Sequence, residues 1–163
     1  MKPMLTSTPR LYRDDDVNYL TCSHEFKELH QKFIDAKQVH TVALLMKDLW
    51  QNHSLFYYLA TAPFLEVALH GWEHLDYSKL SYDKCYEDLK KSLDYWVENS
   101  DRMIKGHKEI TTFFAPWNRE GENIRMACHN LGLKFCNTKK GIWNGKEIKS
   151  FHYWSTDENF IVS

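Results

Sequence analysis

Residues 65–74 read LEVALHGWEH. Leu65–Trp72 is a short apolar run that predicts a buried β-strand ending at Gly71, with His70 and His74 at the end of that strand. Elsewhere the chain alternates similar apolar runs with helical stretches of about ten or more residues. This alternation predicts a parallel α/β sheet or barrel, in which functional residues collect at the carboxyl ends of the strands.

The predicted strands cover Arg10–Asp16, Val39–Met46, Leu65–Trp72, Ile110–Pro116 and Lys134–Thr138. The predicted helices are one that begins at Ser23 and three over Asp48–Ala62, Ser81–Lys105 and Gly121–Leu131. After Lys139 the pattern is less regular: Gly141 and Gly145 indicate turns, and Phe151–Trp154 and Asn159–Val162 are predicted as short strands. No linker or internal repeat divides the chain, so we expect one domain over residues 1–163.

Composition excludes several classes of protein. The 163 residues are 43% hydrophobic and 26% charged, with a net charge of −1, which predicts an ordinary globular domain without a basic field for nucleic acid. A mean hydropathy of −0.58 and the lack of any long apolar run exclude a membrane span. Aromatic residues reach 15%, and their flat faces suit either core packing or stacking on sugars and bases.

The cysteines and the first residues bear on location. Cys22, Cys85, Cys128 and Cys136 share no CxxC spacing, so they are interpreted as isolated thiols. Residues 1–9 hold no apolar segment of the kind that a secretory signal needs. Together these features lead us to expect a protein of the reducing cytoplasm.

Three clusters carry chemistry. The first is Arg13-Asp14-Asp15-Asp16, whose adjacent carboxylates repel one another unless a cation compensates; alternation along a strand would place Asp14 and Asp16 on one side. A solvated acidic turn is the alternative interpretation of that run. The second is His70-Gly71-Trp72-Glu73-His74, in which two histidines four positions apart can converge on one metal ion. In a zincin helix a glutamate directly follows the first histidine, whereas Glu73 directly precedes the second histidine here, so a zincin helix is disfavoured.

The third cluster is the loop Phe113-Phe114-Ala115-Pro116-Trp117-Asn118-Arg119. It offers a stacking face, hydrogen-bonding groups and a backbone N–H that could stabilise an oxyanion, although an ordinary strand-to-helix loop with a buried tryptophan is equally compatible. The other histidines show no ligand spacing and are predicted to be surface or structural residues: His24, His30, His40, His53, His107 and His129.

In combination the three clusters resemble the NodB-like polysaccharide deacetylases, which are carbohydrate esterase family 4 and its relatives. That family has an Asp-Asp pair ending its first strand, a His-x-x-x-His motif after a later strand, and a proline-containing loop after the next. All three occur here in the same order, and they are most similar to a bacterial branch with motifs like RDDD, HGWxH and PPWNR. The resemblance extends from Arg10 to Leu133.

The resemblance implies a distorted (β/α) barrel and an activity, the removal of acetyl groups from an N- or O-acetylated sugar. It implies that Asp16, His70 and His74 bind a divalent metal, most often Zn²⁺. Asp15 would be the general base for a metal-bound water, although Asp14 and Asp15 could take the roles of base and ligand instead. The loop of Pro116, Trp117, Asn118 and Arg119 would contact the substrate, and the Trp117 N–H would hold the oxyanion.

Such a site is chemically coherent. Two histidines and one carboxylate leave a coordination position open for water, whose pKa a zinc ion brings to near 7. A neighbouring carboxylate then completes general-base activation. The same donor set also suits iron, cobalt or nickel.

The sequence also departs from the family pattern. Val17 stands where a glycine usually follows the aspartates, and Phe114 stands where an arginine usually orients the base; Arg13 or Arg119 could replace that arginine. His152 is the best match to the histidine that acts as general acid, with a strand histidine of no special role as the alternative. The chain is short for the fold, which suggests a barrel shortened at its C-terminus.

These departures leave three hypotheses open. The first is a metal-dependent carbohydrate deacetylase. The second is a NodB-like domain that binds a glycan or a metal without turnover. The third is another metal-dependent C–N hydrolase on the same scaffold, because a fold does not determine a substrate.

Overall fold

The computed structural model describes residues 8–163. The strands are β1 (Arg10–Val17), β2 (His40–Leu44), β3 (Leu65–Leu69), β4 (Thr112–Phe114), β5 (Lys134–Cys136), β6 (Ile142–Trp143) and β7 (Lys146–Phe151). The helices are α1 (Ser23–Ala36), α2 (His53–Thr61), α3 (Tyr82–Met103) and α4 (Glu122–Asn130). Short 3₁₀ turns lie at Leu49–Gln51, Tyr77–Lys79, Pro116–Asn118 and Tyr153–Ser155.

All seven strands form one sheet, in the order β5-β4-β3-β2-β1-β7-β6. Every neighbouring pair is parallel except β6 and β7, which form an antiparallel hairpin. The helices α1 to α4 each connect one parallel strand to the next, as the alternation in the sequence predicts. The carboxyl ends of β1, β3, β4 and β7 therefore meet at one edge of the sheet.

The sheet curls toward a barrel around a small interior cluster. Leu11, Ala43, Ala68, Phe114, Cys136 and Ile148 come from six different strands and are all buried in this cluster, and Trp143 of β6 packs against it. The Trp143 indole N–H donates to the Phe135 carbonyl of β5 at 3.2 Å, so the two outermost strands approach each other. The predicted distorted α/β barrel is confirmed.

The larger hydrophobic core lies between the sheet and the helices. Val42, Val67 and Phe113 project from the strands into it, and Trp96 of α3 is among the largest side chains that it buries. Helix α3 begins where the Ser81 hydroxyl accepts the Lys84 N–H, as its predicted start requires. The core thus holds rigid the strand ends that carry the polar residues.

The last part of the chain differs from the sequence prediction. Phe151–Trp154 and Asn159–Val162 are not strands; the strand in this region is β7, and Tyr153–Ser155 is a 3₁₀ turn. The predicted turns at Gly141 and Gly145 are confirmed by the positive φ of both residues. The strand was missed because its sequence, KEIKSF, mixes charges with only a few apolar residues, and one of its neighbours is a two-residue edge strand.

The structure tests only part of what the sequence predicts about location. Among the described residues, no helix has both the length and the apolar character needed to cross a bilayer. The expectation that the chain begins without a secretory signal concerns residues 1–9, of which residues 1–7 lie outside the part of the chain that the structure describes.

Candidate active site

A β-bulge at the end of β1 positions the aspartates. Asp14 pairs with Val42 and Val17 pairs with Leu44, so β1 has one more residue than β2 between these pairs. Asp16 has a φ of 67°, in the left-handed region that non-glycine residues rarely adopt. Asp14 and Asp16 were expected to share a side only while strand alternation lasts, and the bulge interrupts that alternation. Asp14 contacts His40, whereas Asp16 lies beside His70, which follows β3.

His70 and His74 flank a tight turn after β3. Gly71 has a φ of +108°, and a Cβ at this position would lie 2.2 Å from the Tyr77 hydroxyl oxygen, so no larger residue fits without displacement of its neighbours. The turn brings the two imidazole rings to a centroid distance of 4.8 Å. A loop, and not a helix, thus presents both histidines on the same side.

Asp16, His70 and His74 form a cluster with the donor set of a metal site. Each offers one ligand atom, and these atoms all lie within 4.8 Å of one another. The His70 Nδ1 lies 2.6 Å from the Phe114 carbonyl, which can only accept, so Nδ1 carries the proton and Nε2 bears a lone pair. A carbonyl that fixes the tautomer of a ligating histidine in this way is typical of metal centres.

The Asp16 carboxylate supplies the test of whether a cation fits here. Its Oδ1 lies 3.1 Å from His70 Nε2 and 3.5 Å from His74 Nε2, yet it is buried with no hydrogen-bond partner among the described residues. Lone pairs of a carboxylate and a neutral imidazole that face each other at this distance repel unless a positive charge is shared between them. A divalent cation would satisfy all three atoms, so the donor set fits a metal ion.

The charges around the cluster favour the protonation states that a metal needs. Burial raises the pKa of Asp16, but attraction to His70, His74 and His152 when these imidazoles are protonated outweighs burial and brings the pKa of Asp16 below its usual value. Burial and the neighbouring His70 lower the pKa of His74. Asp16 is therefore an anion and His74 a neutral ligand at neutral pH.

Asp15 lies beside the cluster and is held by Arg13. The Arg13 Nε and Nη2 donate to the two carboxylate oxygens of Asp15 at 2.9 and 2.8 Å, and both side chains are buried. Asp15 Oδ2 also lies 3.9 Å from His70 Nε2. Of the two arginines that the sequence offers as replacements for the missing family arginine, it is Arg13 that contacts Asp15. Its guanidinium lies 4.6 Å from the centre of the Phe114 ring.

The loop after β4 is divided between structural contacts and an exposed ring. Pro116 is buried, and the Asn118 Oδ1 accepts from Arg13 Nη1 at 2.8 Å. Arg119 donates to Asp76 Oδ2 at 2.6 Å. Trp117 is 55% exposed, has a positive φ, and places its ring 4.3 Å from the His74 ring. Of the four residues predicted to contact substrate, Trp117 is the one whose side chain lies exposed next to the cluster.

His152 follows β7 at the same edge of the sheet. Its Nδ1 donates to the Asp15 carbonyl at 3.2 Å and lies 3.8 Å from Asp16 Oδ2. The carbonyl holds the proton on Nδ1, so Nε2 is the nitrogen left for another partner. The structure thus brings His152 to the candidate site, as the weak motif match suggested.

Asp14 takes part in a separate, buried network. Its Oδ2 lies 2.8 Å from His40 Nε2, its Oδ1 accepts the Tyr153 N–H at 2.9 Å, and His40 Nδ1 lies 3.0 Å from His30 Nδ1. Burial raises the pKa of Asp14 well above its usual value and lowers the pKa of His40 to about 3. All three groups are neutral, and Asp14 supports the core and is not part of the cluster formed by Asp16.

Comparison with known proteins gives matches in structure but not in sequence. No protein-family model and no curated protein matches the chain. A family 4 carbohydrate esterase from Streptomyces lividans, solved with acetate, matches 90% of this chain and 80% of its own with a TM-score of 0.68 at 14% identity. A CE4 family pseudoenzyme from Bacillus anthracis matches 79% of this chain and 43% of its own, with a TM-score of 0.62 at 12% identity.

A third match is a family 4 acetyl xylan esterase from Clostridium thermocellum that contains a cobalt ion. It matches 77% of this chain and 55% of its own, with a TM-score of 0.57 at 12% identity. The chain has the NodB-like fold of the family 4 carbohydrate esterases. The resemblance seen in the sequence motifs is thus confirmed at the level of the fold, and the chain spans about half the length of the second and third of these matches.

Sequence reasoning left two features of the site unassigned. The sequence alone could not decide whether Arg13 or Arg119 supports Asp15, because both lie next to motif residues. Trp154 was noted only as part of a predicted strand, yet its ring stacks on that of His152 at 4.4 Å. The high aromatic content was the available signal, but it does not say which tryptophan is exposed.

Proposed function

We propose that this protein is a metal-dependent hydrolase that removes acetyl groups from an N- or O-acetylated sugar. The observation that carries the proposal is the convergence of Asp16, His70 and His74 around an unpartnered carboxylate oxygen, with the Asp15 carboxylate alongside. The fold of carbohydrate esterases supports carbohydrate deacetylation as the class of reaction.

Asp16, His70 and His74 would hold the divalent cation. When bound, such an ion polarises a carbonyl and lowers the pKa of water. The donors suit several metals. We propose Zn²⁺ because two imidazoles and one carboxylate are a common zinc set, while the cobalt in the Clostridium esterase makes Co²⁺ a reasonable second probe.

The remaining residues supply the proton transfers. Asp15, oriented by Arg13, accepts a proton from the water whose oxygen attacks the acetyl carbonyl carbon. The bond from that carbon to the sugar nitrogen or oxygen then breaks. His152, protonated at Nε2, gives its proton to the leaving atom, and acetate is released. The Trp117 N–H is proposed to donate to the oxyanion, and its exposed ring to contact the sugar.

Metal analysis together with acetate release tests the proposal. Purified wild-type protein is expected to bind about one zinc per chain and to release acetate from acetylated sugars. His74→Ala should lose the metal, whereas His107→Ala is a matched control, because the side-chain exposures of 28% and 31% are similar and His107 lies outside the cluster. Full metal content in His74→Ala would contradict the assignment of the ligands.

Asp15→Asn separates the base from the ligands. This variant should keep the metal and lose activity by about a hundredfold or more, in the range for a missing general base. Loss of metal instead would mean that Asp15 is a ligand.

The alternative function is binding of a glycan or a metal without turnover. It is favoured by the likeness to a CE4 family pseudoenzyme and by the Phe114 that replaces the family arginine. A protein that binds one metal per chain but releases no acetate from any acetylated sugar, with zinc or cobalt, would support this alternative.

We also propose that the protein works in the cytoplasm. All four cysteines are free, as expected for a reducing compartment, and one of them, Cys22, is exposed.

A further inference from the structure

Residues 70–74, which we call the histidine turn, are held in place from two sides. On one side lies the segment that follows β2. There the N–H groups of Met46 and Lys47 donate to the carbonyls of Gly71 and Trp72, both at 3.0 Å. These bonds fix two carbonyls of the turn, and helix α3 contacts the turn from the other side.

Asp88 of α3 accepts two hydrogen bonds from the chain that follows β3. Its Oδ1 accepts the Trp72 N–H at 3.3 Å, and the Tyr77 hydroxyl donates to the same oxygen. The Tyr77 hydroxyl occupies the space that a Cβ on Gly71 would take. The Tyr77 ring is buried and lies edge-on against Phe113 of β4 at 5.3 Å. One carboxylate oxygen therefore joins the backbone of the histidine turn to α3 and to a buried tyrosine.

The Trp72 ring packs on the same face of α3. Lys91 Nζ lies 4.0 Å from the centre of this ring, and the Tyr95 ring meets it nearly at right angles at 5.1 Å. Asp88, Lys91 and Tyr95 share one face because they are three and four positions apart on a helix. Helix α3 thus fixes both the backbone and the ring of the residue that lies midway between the two candidate histidine ligands.

The surroundings of Asp88 disfavour its charge. Burial raises the pKa of Asp88 even though the Tyr77 hydroxyl and the Trp72 N–H donate to it. A buried carboxyl group costs free energy unless donors satisfy its oxygens, and both of these donors come from the chain that follows β3. The contribution of Asp88 therefore lies in its acceptor oxygen, which a neutral side chain of the same shape could also supply.

We propose that Asp88 is a positioning residue of the candidate site, which together with Tyr77 holds the histidine turn in the conformation that lets both imidazoles reach one metal ion. Asp88 lies outside the cluster of Asp16, His70 and His74, so it acts through the turn and does not bind the metal. The inference rests on the proposed function for the metal, whereas the hydrogen bonds themselves can be tested in the metal-free chain. Groups that orient metal ligands in this way contribute to the affinity of the site.

Metal affinity tests the proposal. Asp88→Ala and Tyr77→Phe should each weaken Zn²⁺ binding about tenfold or more, measured by competition with a chromophoric chelator. The double variant should lose no more than the weaker-binding single variant, because the two residues act as one unit. Asp88→Asn keeps the acceptor oxygen and should restore the affinity of the wild type. The visible absorption of the Co²⁺-loaded protein, which depends on ligand geometry, should change in Asp88→Ala and not in Asp88→Asn.

A buried residue at the other end of β3 provides the structural control. Leu59 of α2 is fully buried, and its carbonyl and that of Leu65, the first residue of β3, both accept from Lys108 Nζ. Leu59→Ala should destabilise the fold and still bind Zn²⁺ with the affinity of the wild type. An equal loss of affinity in Leu59→Ala and Asp88→Ala, or no recovery in Asp88→Asn, would overturn the positioning role.

Hydrogen exchange in the metal-free protein separates this inference from the proposed function. If the wild type binds no metal, the proposed function fails, but the Trp72 amide still reports on the turn. This amide should exchange at least about tenfold faster in Asp88→Ala than in Asp88→Asn, because only the second variant keeps its acceptor. Equal exchange rates in the two variants would overturn the positioning role, whether or not the protein binds a metal or releases acetate.

Discussion

Arg13 shows how a single residue can join groups from separate parts of the chain. Its guanidinium lies on the Phe114 ring, donates to Asp15 through two nitrogens and to Asn118 through a third, and reaches the Thr138 carbonyl at 2.6 Å. It therefore ties Asp15 on β1 to the loop after β4. Arginine suits this position because its planar fork matches a carboxylate and also stacks on an aromatic ring.

Arg13→Lys tests whether this fork matters for Asp15. Lysine keeps the charge but cannot make the two parallel hydrogen bonds, so Asp15 should be less well oriented. We expect the metal content to stay at the wild-type value and kcat to fall by about tenfold to a hundredfold, the effect of a small misplacement of a reacting group. An unchanged kcat in acetate-release assays would show that Arg13 is only a core residue.

Gly71 is the second position where one residue decides the geometry of the site. At φ +108°, Gly71→Ala adds backbone strain, and its Cβ would lie 2.2 Å from the Tyr77 hydroxyl oxygen. We expect a loss of about 3 kcal/mol or more in the free energy of unfolding, measured with urea, together with weaker metal binding through His74. Gly132→Ala is the control: it also has a positive φ, of 74°, but no atom within 4 Å, and should lose only about 1 kcal/mol. Equal losses in the two variants would contradict a steric role for Gly71.

At the scale of elements, α1, β2 and β1 are joined by the buried chain of His30, His40 and Asp14. His30 Nε2 donates to the Pro63 carbonyl at 2.8 Å, so its Nδ1 must accept from His40, and His40 Nε2 must accept from a protonated Asp14. Burial lowers the pKa of His30 to about 4, in agreement with this arrangement of protons. The network holds β1 in place at Asp14, directly before Asp15 and Asp16.

This network predicts how stability depends on pH. Between about pH 5.5 and 4.5, where the histidines of the unfolded chain are almost fully protonated, unfolding lets His30 and His40 take up protons while Asp14 releases one, so the unfolded chain binds about one proton more. At pH 6.5, where those histidines are half protonated, uptake and release cancel. The free energy of unfolding should fall by about 1.4 kcal/mol per pH unit on acidification from about pH 5.5 to 4.5. Urea titrations at pH 6.5, 5.5 and 4.5 measure the slope, and His24→Gln, at an exposed position on α1, should leave it unchanged. A stability independent of pH in this range would contradict neutral buried imidazoles.

At the scale of the whole molecule, the candidate site is a meeting point of separate strands. Asp16 comes from β1, His70 and His74 follow β3, Trp117 follows β4 and His152 follows β7. No local segment contains the site, so a cation held there binds the folded chain and not the unfolded one. Metal binding at this site, as proposed, would therefore be linked to folding.

This linkage can be measured. At a free zinc concentration about a hundred times the Kd, the free energy of unfolding should rise by about 2.7 kcal/mol. Thermal or urea unfolding of the wild type with and without zinc gives this difference. Asp16→Ala should show no such increase, and stabilisation of that variant by zinc to the same extent would place the metal elsewhere.

The sequence by itself determined the first five strands, the four helices and the three clusters, because hydrophobic periodicity and short motifs are local properties of the chain. It could not separate Asp14 from Asp15 and Asp16. That choice depends on a bulge and a positive φ, which form only when β1 pairs with β2. Nor could the sequence choose between Arg13 and Arg119 as the partner of Asp15, or place His152 and Trp154 near Asp16. Those positions are decided only when the barrel curls and β7 pairs with β1, because they depend on contacts between residues far apart in sequence.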